Sequence, residues 1–213
     1  MTIAVASGFY GKLPARGDFL RAGLPRSFTD PWWDEWLQAA MADSRDALGK
    51  AWLNCWMEAP VWRFCLPDGA CGPHGVLGLW IPSVDRAGRY FPQAFAMVLP
   101  GAGPDALAVA GTAWLDEAER IGLDALEQEI QPDSLSDRLA ALPAPEAVSG
   151  DGDAPWWTAG SPYVAATALR LPGLPDPAQF ATMLRTPLAP DGSPAEEAAA
   201  EGRPTKGGFL EAT

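Results

Sequence analysis

The chain has 213 residues, 48% hydrophobic and 20% charged, which excludes a disordered class and leaves room for one domain with a substantial core. Its formal net charge of −12 argues against nonspecific nucleic-acid binding by the chain as a whole. No apolar run approaches the roughly 18 residues of a membrane span, residues 1–6 do not read as a signal peptide, and Cys55, Cys65 and Cys71 lack the spacing of a zinc site or a disulfide framework, so a cytoplasmic location is expected.

In chain order, residues 3–7 read as a short strand running into Gly8, followed by a loop over 11–28 punctuated by Gly11, Pro14, Gly17, Gly23 and Pro25. Asp30 then Pro31 is a helix-start signature. Trp33, Trp36, Leu37, Ala40 and Met41 recur at helical spacing up to a stop at Gly49. A short helical turn carries Trp52 and Trp56, and Val61–Leu66 reads as a strand. Residues 76–81 and 93–99 are continuous apolar runs, as expected of strands covered on both faces, and the three together predict an antiparallel meander. Residues 104–130 read as the clearest helix, with Leu107, Trp114, Ala118, Ile121 and Ala125 on one face. A second short helix is expected over 134–142, a Pro/Gly/Asp-rich loop over 143–155, and a strand over 163–171. Asp176-Pro177 repeats the cap-then-proline signature ahead of Phe180, Met183 and Leu184. About five strands and three or four helices in this order predict an α/β class: a three-layer sandwich with a central mixed, largely antiparallel sheet and helices on both faces. Residues 1–186 are expected to form a single domain and 187–213, rich in Ala, Glu, Gly and Pro, a weakly ordered tail.

Two segments concentrate chemistry. They are Gly8-Phe9-Tyr10-Gly11-Lys12-Leu13-Pro14-Ala15-Arg16-Gly17-Asp18-Phe19 and Pro82-Ser83-Val84-Asp85-Arg86-Ala87-Gly88-Arg89-Tyr90-Phe91-Pro92. Residues 8–26 hold four cations against Asp18 alone, whereas residues 100–160 hold twelve acidic side chains against two basic ones. The first segment is therefore a cationic patch in an acidic chain. The polar set Lys12, Arg16, Asp18, Ser83, Asp85, Arg86 and Arg89 has two readings. Opposite charges pair across the two loops and fix them, which is the favoured role for Asp18 and Asp85 because buried acids are usually paired. Alternatively, arginines left over, Arg86 or Arg89 above all, accept a carboxylate or phosphorylated residue through their fork of donors. Tyr90, Trp156 and Trp157 are candidates for an aromatic surface, with core packing as the ordinary alternative.

Enzyme signatures are weak. Gly11-Lys12 fails the phosphate-loop pattern at Ala6 and Leu13. The single histidine, His74, sits in a Gly/Pro loop, no GxSxG is present, and Ser83 has no evident base. Arg16-Gly17-Asp18 has no adhesion context. No catalytic residue, metal or cofactor is expected.

The segments GFYGKLPARGDFLR, PVWRF at 60–64, PSVDRAGRYFP at 82–92, WWTAGS at 156–161 and LPDPAQF at 174–180 resemble, in order and spacing, the TagF family of type VI secretion-associated proteins. The resemblance runs from about residue 8 to 186. It implies an α/β sandwich and a cytoplasmic, non-enzymatic accessory protein that represses the secretion apparatus after translation. In some systems such proteins act through a scaffold bearing a forkhead-associated domain, and some are fused to a phosphatase domain, for which this chain has no room. Gln93 departs from the family pattern, which tends to place an apolar residue there. An anionic-ligand sensor or enzyme built on Lys12, Asp85 and Arg89 is the alternative reading.

Overall fold

Alternation of side chains along successive strands leads to one sheet. The computed structural model describes residues 5–14, 16–128, 130–146 and 149–186; the expected tail over 187–213 lies outside them. Seven strands, β1 (Ala6–Gly11), β2 (Leu20–Ala22), β3 (Trp62–Leu66), β4 (Gly75–Ile81), β5 (Gln93–Leu99), β6 (Ala154–Thr158) and β7 (Thr167–Leu171), lie in the order β2-β1-β5-β4-β3-β6-β7. Every neighbouring pair is antiparallel, so the expected sandwich is present and its sheet is wholly antiparallel. The predicted meander β3–β4–β5 is the centre of the sheet. Two strands went unread as such. β2 lies inside what reads as a loop, three residues too short to show alternation. β6 begins at Ala154 and Pro155, where a Pro-rich composition suggests a loop. β7 starts at Thr167, four residues later than expected, after a bridge between Ser161 and Val164.

Apart from Arg63 and Gln93, the central strands are apolar, because helices cover both faces. α1 (Arg26–Asp30), α2 (Gln38–Leu48), α3 (Trp52–Met57) and α7 (Phe180–Leu184) cover one face; α4 (Pro104–Ala110), α5 (Thr112–Glu127) and α6 (Pro132–Ala140) cover the other. On the first face Trp62 and Phe64 of β3, Trp80 of β4, Ala94, Ala96 and Val98 of β5 and Trp156 of β6 meet Phe28, Trp32, Trp36, Trp56 and Phe180. Aromatic rings dominate: Phe64 stacks on Trp32 and Trp156 at centroid distances of 5.0 and 4.6 Å. On the second face Leu77, Leu79 and Ile81 of β4 and Phe95, Met97 and Leu99 of β5 meet Leu107, Trp114, Leu115, Ile121, Leu135 and Leu139. Period two on the strands and period 3.6 on the helices thus produce two cores on one sheet.

Local signals act where expected, with two shifts. Asp176 caps the turn Pro177–Gln179, accepting from the Ala178 N–H at 2.9 Å while its own N–H donates to Gln179 Oε1 at 3.1 Å. The second helical stretch stops at Leu48, ahead of Gly49. Pro31, however, does not start a helix. The chain is already helical from Arg26, and Pro31, which has no N–H to donate, opens a wider turn over Pro31–Leu37 in which the Gln38 N–H reaches back to Trp33. The single helix expected over 104–130 is divided at Gly111 into α4 and α5.

Gln93 is fully buried opposite Ile81 in the register of β4 and β5. Neither its Oε1 nor its Nε2 has a partner among the described residues. An unsatisfied buried polar group costs about 1–3 kcal/mol. Gln93→Met, of similar length and without that cost, is therefore expected to stabilise the fold by about 1–3 kcal/mol in urea unfolding; an unchanged or lower midpoint contradicts this.

Candidate functional site

The two singled-out loops, more than sixty residues apart in sequence, meet at one end of the sheet. β1 leads into the first loop, and the second joins β4 to β5. Gly11 makes the approach possible: its φ is +146°, and a Cβ there would stand 2.5 Å from the Pro92 carbonyl oxygen. The second loop closes on itself through a bridge between Val84 and Tyr90. The Asp85 N–H donates to the Arg89 carbonyl at 3.0 Å and the Gly88 N–H to the Asp85 carbonyl at 2.9 Å. Gly88, with φ +78°, supplies the left-handed residue of this turn.

Inside the turn lies the Asp85 carboxylate, 3% exposed as a residue. Its Oδ1 accepts from the Ala87 and Arg89 N–H groups, both at 2.9 Å. Its Oδ2 accepts from Lys12 Nζ at 2.5 Å and from Arg89 Nε at 2.6 Å. Burial alone works to raise this carboxyl; the Lys12 ammonium, the Arg89 N–H and guanidinium and the Ala87 N–H outweigh it and hold it well below the usual carboxylate range. Further bonds tie the loops together. Ser83 Oγ donates to the Lys12 carbonyl at 2.8 Å, the Arg86 N–H donates to the Arg16 carbonyl at 3.0 Å, and Arg89 Nη2 donates to the Gly17 carbonyl. The Lys12 ammonium also lies 4.7 Å from the centre of the Phe19 ring, which packs among Tyr10, Trp33 and Phe91.

The seven candidate polar residues therefore come together and divide into two groups. Lys12, Ser83 and Asp85 are buried, and their side-chain polar groups bond within the molecule. Arg16, Asp18, Arg86 and Arg89 are exposed. Arg89 is committed to Asp85, and Arg16 Nη2 donates to Gln131. Among the described residues no side-chain partner meets the Arg86 guanidinium. Asp85 is paired as expected. Asp18 is not: it sits at an exposed loop tip where water satisfies a carboxylate, and no salt bridge is made to it among the described residues. One of the aromatic candidates also needs correction. Trp156 is fully buried, its Nε1 donating to the Gly173 carbonyl at 3.0 Å; it is core, because β6 is an interior strand with helices over that face. Trp157 and Tyr90 are half-buried, Tyr90 against Trp52.

Sequence reasoning missed a groove beside the loops. It has a volume of about 350 Å³ and is lined by Pro14, Pro82, Ser83 and Val84 of the two loops, Trp56 and Met57 of α3, Ala59, Val61, Ile81, and Leu123 and Leu126 of α5. The exposed Leu123 on an otherwise amphipathic helix was the available signal. Lys12, Asp85 and Arg89 do not line it. The cysteines are buried and free. Burial pushes the Cys71 thiol up to about 12, with help from the Glu35 charge, and the Cys65 thiol higher still, which suits hydrophobic filling rather than nucleophilic chemistry. No group of three His, Cys, Asp or Glu among the described residues is placed to hold a metal, and no helix among them is long and apolar enough to cross a membrane.

The model of the TagF N-terminal domain, type VI secretion system-associated, matches residues 8–142. The chain belongs to the TagF family. The matched span holds both loops, the Asp85 cluster and every residue lining the groove. Among solved structures, the crystal structure of PA0076 from Pseudomonas aeruginosa PAO1 is similar, with 33% sequence identity, a TM-score of 0.77, and coverage of 97% of this chain and 100% of that one. No curated protein matches the chain.

The depressed Asp85 carboxyl has a pH signature. The unfolded chain takes up this proton first, near the unperturbed 3.8, so the contribution of Asp85 to stability is whole above that value and fades as pH falls through its lower folded value. In thermal melts from neutral into acid pH, the Tm difference between the natural chain and Asp85→Asn is expected to stay constant down to about pH 5 and to shrink below it. A difference that closes between neutrality and about pH 5 contradicts the assignment.

Proposed function

We propose that this TagF-family chain is a non-enzymatic cytoplasmic accessory protein of the type VI secretion system that represses the apparatus after translation by direct contact with a protein partner. A scaffold bearing a forkhead-associated domain is the partner the family resemblance suggests. The observation that carries the reading is the locking of two distant family motifs into one face by the buried Asp85 cluster, with the Arg86 guanidinium outward and uncommitted. A fixed surface of this kind suits recognition, because little ordering remains to be done on binding. A ligand sensor or enzyme built on Lys12, Asp85 and Arg89 is less well supported. These three groups do come together, but they meet one another's charges, and the neighbouring groove is lined by other residues.

The test is expression in a cell with an active type VI system. Export of its substrates is expected to fall while transcripts and apparatus proteins stay constant, and secretion-system components are expected to co-purify with the chain. Arg16→Glu combined with Arg86→Glu is expected to relieve repression without lowering Tm. Full export in the presence of abundant, folded protein overturns the proposal.

A further inference from the structure

The groove carries the reading one step further. Its lining side chains are apolar except Ser83, whose hydroxyl is spent on the Lys12 carbonyl at 2.8 Å. A site for a small polar metabolite gains its orientation from a few converging polar groups, and this groove offers no uncommitted polar side chain: the Trp56 indole N–H is spent on the Ser83 carbonyl. Its volume of about 350 Å³ lies at the small end of the roughly 300–1,000 Å³ span of ligand pockets. Two of its apolar side chains stand open to solvent: Met57 is 60% exposed and Leu123 41%. Large apolar side chains left open around a concavity mark a contact site.

Apart from the exposed Asp18, the charges beside it on the loop side are cationic on balance. Pro14 and Val84 line the groove, and two residues beyond each stand Arg16 and Arg86, joined by the hydrogen bond from the Arg86 N–H to the Arg16 carbonyl. Asp85, between Val84 and Arg86, is neutralised internally by Lys12 and Arg89. Elsewhere the flanking charges are acidic: Glu58 follows Met57 and Glu127 follows Leu126, both exposed. An acidic chain thus presents a confined cationic edge next to an apolar slot.

Resting on the contact reading above, we propose that the groove takes a large aliphatic side chain from a short acidic segment of the partner protein, with an Asp or Glu of that segment pairing with Arg86 and Arg16. Charge complementarity selects this occupant over a basic or neutral segment. The apolar slot supplies desolvation and the arginines supply register.

The experiment pans a display library of short randomised peptides on the full-length chain. Peptides with Leu, Ile or Met close to Asp or Glu are expected to be enriched. The affinity of the best synthetic peptide is expected to fall about tenfold or more in Leu123→Glu and about tenfold in Arg86→Ala, to weaken with added salt, and to stay unchanged in Arg170→Ala on the distant β7. Melts establish that the variants, all at exposed positions, stay folded. No enrichment, enrichment of basic peptides, or binding indifferent to Leu123→Glu overturns the proposal. So does a dimer in sedimentation that Leu123→Glu converts to monomer, which assigns the groove to a second copy. Export assays separate the two levels: repression that survives Leu123→Glu removes the groove and leaves the repressor reading standing, whereas a natural chain that does not repress removes the repressor reading whatever the peptides show.

Discussion

A buried carboxylate with no spare lone pair organises the functional end of this molecule. Asp85 accepts two backbone N–H groups from its own turn, an ammonium from the first loop and a guanidinium from the second. Each partner alone would leave a costly unpaired charge in the interior; together they satisfy it. The consequence is geometric. Two glycine-containing loops, each free to wander in isolation, are held in a fixed relation, and the sheet end becomes a surface with one shape.

That surface depends on the layers beneath it. β4 and β5 run straight from the doubly covered core into the second loop, and β1 runs beside β5 into the first. The aromatic core under α1 to α3 extends up to Trp56, whose indole N–H donates to the Ser83 carbonyl at 3.3 Å. Core packing on one face and the ion cluster at the top are thus continuous. The groove lies where α3 and the end of α5, on opposite faces of the sheet, come closest to the loops. Its walls therefore belong to four separate parts of the chain and exist only when all four are packed.

Much of the fold was legible because its signals are local and strong. The apolar runs at 76–81 and 93–99, the helical spacing of Trp33, Trp36, Leu37 and Ala40, the stop at Gly49 and the cap at Asp176 each act through neighbours a few residues away. What went unread is equally physical. β2 is too short to show a period. β6 is recognised by the partners it pairs with, not by composition, since its opening Ala154-Pro155 after a Gly/Asp-rich stretch looks like loop. Pro31 reads as a helix start, yet the preceding turn is already helical, and packing of Trp32 and Trp36 against the sheet carries the helix through it.

For the site, sequence alone determined which residue types gather in two segments, their family, and the presence of opposite charges in both segments, because these are properties of composition and order. Tertiary structure alone decided which charges are spent and which remain. Lys12 and Arg86 are both cations in glycine-containing loops; one is buried against Asp85 and the other faces water, and only the path of the folded backbone distinguishes them. It likewise turned Trp156 inward and opened a groove among residues from Pro14 to Leu126. Burial and concavity are relations between distant parts of a chain, and no local pattern records them.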